Sequence, residues 1–317
     1  MSDLEFDDVK PFIIVAIILL NLALNSLVIA VIVKHPQLRE DRTTLFMLSL
    51  ALSDLANGCT TMPISAVVCS KTSLAVRNEL TYLPRIQAFF SSWFMVVSTN
   101  SLCWLTVCKM IAITNPLRID TILTRRRCYC IITGIWISAG VFASTFCIRQ
   151  SLWNFKICLY DIRVTPTLPV DTLAILIFGV AFALLLPQVI IVYSTVRIFN
   201  AILRTHRQIA ALSNSIEGHR DFIGNIPTLT FKSIRSGRNV LIICLVYVLL
   251  TIPAAVYTIA VITHMENRLP ANVQFFSIWI LFCHTFVSSL FYLVLFRCIR
   301  RKAIDIIKDV GKLFTCD

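Results

Sequence analysis

Leu105–Arg118 reads LTVCKMIAITNPLR. Its left half closes an apolar run that starts at Ala88, and its right half leaves that run through Asn115 and Pro116 to Arg118. About 20 apolar residues carry a helix across a bilayer core. Ala88–Ile113 meets that length, and so do six other runs: Pro11–Val33, Thr44–Cys69, Cys128–Ile148, Val170–Phe199, Asn239–Thr263 and Val273–Phe296. Only helices or closed barrels satisfy backbone polar groups in lipid, and these runs are too long and continuous for barrel strands. A water-soluble helical core is excluded, because seven such helices have no polar face to offer water. The expected fold class is an all-α membrane protein, a seven-transmembrane helix bundle.

Composition agrees. The 317-residue chain is 57% hydrophobic and 15% charged, with a mean hydropathy of +0.80. Soluble domains average about 45–50% apolar and about 25% charged residues. Basic residues set the orientation. With the N-terminus extracellular, 21 of the 29 Lys and Arg fall on the inner segments, including Lys109, Arg118, Arg125, Arg126 and Arg127. The net charge of +12 therefore needs no nucleic-acid partner; anionic lipid of the inner leaflet accounts for it, and a cytosolic protein is also compatible. The acidic start, MSDLEFDD, does not read as a cleavable signal peptide, and the first span serves as its own insertion signal. No Asn-x-Ser/Thr acceptor occurs.

The expected organisation is an extracellular N-terminus over 1–10, a seven-span domain over 11–296, and a cytoplasmic amphipathic helix with a short tail over 297–317. SNSIEGHRDFIGNIP, Ser213–Pro227, reads as the loop between spans five and six. Beyond Phe296, Ile299, Ala303, Ile306, Val310 and Leu313 recur every three or four residues, opposite Arg300, Arg301, Lys302 and Lys308. Such a helix lies on a membrane surface. Cys298 and Cys316 flank it and are palmitoylation candidates; two unmodified thiols are the alternative.

Motifs narrow the class. LNSLVI in span one, TTLFMLSLALSDL in span two with Pro63 nine residues on, AITNPLR after span three, Trp136, Pro187, Pro253 and Tyr292 stand in order along the chain. This series resembles the rhodopsin-like, or class A, G-protein-coupled receptors over nearly the whole chain. The resemblance implies a plasma-membrane receptor, an extracellular ligand and a heterotrimeric G protein as partner. The chain is a divergent member. Cys108-Lys109-Met110 stands where the family has Asp-Arg-Tyr, and Ser288-Ser289-Leu290-Phe291-Tyr292 stands for Asn-Pro-x-x-Tyr. Thr251 replaces the span-six Trp, Thr195 the span-five Tyr, and Pro84 the span-three Cys. Lys109 keeps a positive charge but lacks the planar fork of Arg. Cys108 supplies no carboxylate to restrain it. Loss of restraint raises basal activity, whereas loss of the Arg weakens coupling, and the sequence leaves both open.

Asp54 is the carboxylate deep within a span, which is a functional signal by default. The resemblance places Asn25, Ser98 and Ser288 around it, with His284 one turn before Ser288. Asp54, Ser98 and Ser288 offer hard oxygen ligands for a sodium ion. A protonated His284 competes with that cation. A hydrogen-bonded packing cluster is the alternative, and no other cofactor is expected.

By the same alignment Ser91, Ser92, Met95, Thr251, Thr258, Ile278 and Phe282 form the ligand pocket, apolar with hydroxyls. Ser91 stands where amine receptors have an Asp, and Phe282 where opsins have their retinal Lys, so neither a typical amine nor retinal is expected. The resemblance also implies a disulfide at Cys158 in the second outer loop, with Cys69 as best partner and Cys147 as rival. Cys108, Lys109, Met110 and Tyr292 are the expected switch and G-protein contacts. No phosphate loop, zinc motif or other enzyme signature occurs. A non-signalling heptahelical binding or scaffold protein, and a multi-pass transporter, remain as alternatives.

Overall fold

The computed structural model describes residues 3–70, 83–116, 118–145, 151–162, 185–215, 228–263, 265 and 268–315. They form eleven helices and one hairpin: α1 (Asp3–Lys34), α2 (Pro36–Glu40), α3 (Arg42–Cys69), α4 (Leu83–Thr114), α5 (Ile119–Ile122), α6 (Arg125–Ser144), β1 (Ser151–Asn154), β2 (Leu159–Ile162), α7 (Leu186–Ser215), α8 (Thr228–Ile262), α9 (Ala271–Phe282), α10 (His284–Leu295) and α11 (Arg297–Thr315). Six helical segments are long and apolar enough to cross a membrane, with α9 and α10 together making one of them; α3 is a further long helix. The large apolar side chains Phe12, Ile137 and Leu249 each stand more than 60% exposed on these helices, a surface suited to lipid rather than water.

Within the bundle α3 packs between α1 and α4, and α4 is central, touching α3, α6, α7, α8 and both strands. Lipid tails are as apolar as Leu, so close backbone approach and interhelical hydrogen bonds must hold such helices together. Both are visible. Gly58 of α3 lies so near α1 that a Cβ there would stand 2.8 Å from Asn21 Oδ1. Ser49 of α3 shares a hydrogen with Ser101 of α4 at 2.9 Å and accepts from Trp136 Nε1 of α6 at 3.1 Å. One apolar cluster, with Val28, Phe46, Leu105 and Tyr292, fills the end where α3 begins. A second, with Phe6, Met62, Phe275 and Trp279, fills the hairpin end.

Local chemistry sets several boundaries. Asp41 caps α3 by accepting from Thr43 N at 3.2 Å, and Thr124 caps α6 by accepting from Arg127 N at 3.4 Å. The expected seventh span is interrupted: α9 stops at Phe282 and α10 starts at His284. There His284 Nδ1 meets the Leu281 carbonyl at 2.5 Å, a side-chain bond that competes with the backbone ladder.

Three sequence expectations change. Residues expected as a separate N-terminal segment continue α1 from Asp3, because Phe6 and Lys10 are buried against α9. Lys10 is 3% exposed, pairs with Asp7 at 2.6 Å and lies 5.6 Å from the Phe275 ring. The apolar positions Ile299, Ala303 and Ile306 of α11 pack on the bundle itself, while Ile304 and Ile307 are exposed. The loop expected over Ser213–Pro227 is shorter at its start, since α7 runs to Ser215; residues 216–227 lie outside the described residues, as do 170–184 of the expected fifth span and Cys316.

Candidate functional site

The polar centre of the bundle is built from α1, α3, α4, α8 and α10. Asn25 donates from Nδ2 to the Asn21 carbonyl at 3.0 Å and the Thr285 carbonyl at 2.9 Å, and its Oδ1 accepts from Ser289 Oγ at 2.6 Å. Asn21 adds a bond from Nδ2 to Thr285 Oγ1 at 2.7 Å. These bonds fasten α1 to α10. Asp54 of α3 is 1% exposed, and its Oδ2 has no hydrogen-bond partner among the described residues. Ser98 Oγ lies beside Asp54 and 3.3 Å from His284 Nε2.

The hydrogens there can be assigned by chemistry. A carbonyl only accepts, so the short contact to Leu281 requires a hydrogen on His284 Nδ1. In a neutral imidazole Nε2 is then the acceptor, and Ser98 is its donor. Ser98 has one hydrogen, so while it serves His284 it cannot also serve Asp54. Tyr247 of α8 closes the group, with its ring 5.5 Å from His284 and its hydroxyl bonded to Thr99 Oγ1 and Gln188 Nε2, each at 2.9 Å.

At one end of this core sits the hairpin. Its strands pair antiparallel, Asn154 opposite Leu159. Cys158 in the turn is joined to Cys69 with Cα atoms 5.4 Å apart, an ordinary span for a disulfide. The turn residues Ile157, Cys158 and Leu159 are 4%, 0% and 8% exposed. Trp279 Nε1 donates to the Ile157 carbonyl at 2.9 Å, and Tyr160 OH meets Ser92 Oγ at 3.2 Å. Burial pushes the Tyr160 phenol above its ordinary pKa, with the Ser92 and Ser91 hydroxyls opposing, so it stays neutral.

At the other end, Lys109 opens on a cavity of about 260 Å³, lined also by Glu40, Asp41, Arg42, Thr43 and Cys108. Among the described residues Lys109 forms no ion pair; Arg42 pairs instead with Asp120 at 2.6 Å.

Residues 24–292 match the family described as 7 transmembrane receptor (rhodopsin family). The chain belongs to the rhodopsin family of seven-transmembrane receptors. Among curated proteins this receptor is 25% identical over 166 residues to octopamine receptor 1 of Lymnaea stagnalis, 52% of this chain and 25% of that one. It is 31% identical over 163 residues to G-protein coupled receptor 135 of Mus musculus, covering 50% and 34%. It is 27% identical over 177 residues to melanocortin receptor 3 of Rattus norvegicus, covering 54% and 53%. The receptor thus spans between a quarter and about half of the length of these relatives.

The receptor gathers some expected residues and not others. Ser91, Ser92, Ile278 and Phe282 surround the hairpin, with Ser91 and Phe282 buried and Met95 half-buried one turn away. Thr258 is exposed and Thr251 half-buried, and both give their hydroxyl hydrogen to their own helix, at Ala254 O (2.8 Å) and Val248 O (2.7 Å); neither donor faces a pocket. In the centre, Ser288 bonds back to the His284 carbonyl at 2.9 Å, and its neighbour Ser289 is the residue that reaches Asn25. Asn21, Thr285, Tyr247 and Trp279 were not singled out from sequence. Asn21 lies one turn before Asn25 on the same face, a spacing that does flag it. At the basic end Cys108 is fully buried, Met110 is half-buried, and Tyr292 is 0% exposed with a hydroxyl that has no partner among the described residues. Cys298 is exposed at the start of α11.

Proposed function

We propose that this chain is a plasma-membrane receptor with its N-terminus outside, which converts a change at its hairpin end into nucleotide exchange on a heterotrimeric G protein at its basic end. The observation that carries the reading is the continuous polar core: Asn25, Asn21, Thr285, Ser98, His284 and Tyr247 couple α1, α4, α8 and α10 midway between the two ends. Coupling of this kind requires a ligand with different affinity for two arrangements of the helices. Ser91 offers no carboxylate to an ammonium and Phe282 no amine to retinal, so the octopamine of one relative's name is not carried over. The inward and exposed apolar edges of α11 with its basic residues support a seat on the inner leaflet, and exposed Cys298 supports acylation there.

Basal exchange on a panel of G-protein classes tests this, comparing the native chain with Lys109→Arg. Exchange with at least one class is expected, and a several-fold gain in the variant, because a guanidinium offers bidentate contacts. Unchanged exchange in Lys109→Arg removes that position from the coupling step. The unpartnered oxygen of Asp54 beside Ser98 supports a sodium ion, whose oxygen chemistry it suits, although Ser288 is turned to its own helix. The His284 nitrogen makes the site poor, so replacing sodium by potassium in the same assay is expected to change little, and more in His284→Ala.

A second reading is favoured by the fully buried Cys108, which carries no carboxylate, beside a Lys109 that forms no ion pair among the described residues. In it the bundle binds ligand or partners without signalling. Surface expression with no exchange on any class supports it, and flux in proteoliposomes points instead to a transporter.

A further inference from the structure

Turn residues of a hairpin normally lie at the surface. Here Ile157, Cys158 and Leu159 are buried among Phe275, Trp279 and Phe282. Polar groups converge on this segment as they do on a bound molecule. Trp279 Nε1 donates to the Ile157 carbonyl at 2.9 Å, and Ser92 Oγ meets the Tyr160 phenol at 3.2 Å. The backbone is held for the purpose. Cys158 has φ 56°, a left-handed conformation that costs a side-chain-bearing residue energy and persists only when its surroundings fix it. The tie to Cys69 and the two hydrogen bonds on either side fix it.

We propose that Ile157–Tyr160 is the resident occupant of this receptor's ligand site: a tethered ligand made of two apolar side chains, one carbonyl acceptor and one phenol. The inference rests on the assignment of Ser91, Ser92 and Phe282 to that site. A short tether gives such a segment a local concentration on the order of millimolar. A diffusible ligand must therefore displace it, and must offer the same chemistry: an aromatic hydroxyl for Ser92 and an acceptor for Trp279 Nε1.

The test is accessibility of position 92 in the full chain in detergent. Ser92→Cys is treated with a small charged thiol reagent, and the peptide holding residue 92 is followed by mass spectrometry. With the hairpin intact the reaction is expected to be slow. With Ile157→Ala, Leu159→Ala and Tyr160→Ala added it is expected to run at least about tenfold faster, as for a locally opened region. A soluble peptide of the Asn154–Tyr160 sequence, with Ser for Cys, is expected to slow it again. Equal rates in the two proteins overturn the proposal. If the triple variant loses its Cys69–Cys158 linkage, Ile157→Ala alone decides: it removes one buried side chain of the occupant and leaves its backbone carbonyl and Tyr160 in place, a rate above the Ser92→Cys parent supports occupancy, and an unchanged rate overturns it. Labelling needs no G protein, so failure of nucleotide exchange and failure of occupancy are read separately.

Discussion

The two ends of the bundle are held by different kinds of interaction. At the hairpin end a disulfide, an indole-to-carbonyl bond and a serine–phenol contact fix the turn in place. At the basic end Lys109 faces a cavity also lined by Asp41 and Glu40, and the ion pairs there among the described residues, Arg42–Asp120 and Lys34–Asp309, join exposed or partly exposed groups. Covalent and buried polar ties hold one geometry; solvated charges permit several. The hairpin end is therefore built to stay closed, and the basic end to rearrange.

The contrast is sharpest at Cys69→Ser. The disulfide closes a separation of 89 residues. Loop-closure entropy puts the stabilisation from so long a loop at about 4.6 kcal/mol before any native-state strain is subtracted. The expected result is a large fall in melting temperature in detergent and in surface expression; an unchanged melting temperature breaks the comparison at its strongest point. Next comes the core that both ends share. Asn25→Ala removes bonds to two carbonyl groups and one hydroxyl. Interhelical bonds in membranes average about 0.6 kcal/mol, so a loss of about 1–2 kcal/mol is expected in reversible unfolding. The smallest effect belongs to Asp120→Asn at the basic end. Asp120 is 77% exposed, and exposed pairs contribute about 0–1 kcal/mol at most, so the melting temperature is expected to stay put. A shift as large as that of Asn25→Ala shows instead that the basic end is as firmly held as the rest.

Much of the bundle is legible in the sequence because lipid imposes long apolar runs, and Asn25 and Asp54 stand out as polar residues inside them. The seventh span is harder. Its apolar run is continuous, and nothing in it announces the break at Cys283–His284. One residue of offset turns a side chain by about 100° on a helix. Alignment accordingly picks Ser288, while Ser289 is the residue that faces α1. The hairpin is harder still. Its strands are four residues each, too short for a periodic signal, and only Cys158 marked the place. Thr258 illustrates the converse error, since alignment gives a position along a helix but not the side it shows in this chain.

Pro84 stands at the buried top of α4, where the family's span-three cysteine is absent, and the covalent strap runs to α3 instead. The hairpin and α3 thus travel as one rigid piece. Polar ties between that piece and α4 are the Ser92–Tyr160 contact, the Ser49–Ser101 bond, and Gln87, whose Nε2 donates to the Thr61 carbonyl at 3.0 Å and to Ser65 Oγ at 2.8 Å. Helix shifts in switching proteins are often only about 1–2 Å. A displacement of that size along α4 breaks several of these bonds together, which makes the central helix a latch on the piece that carries the hairpin.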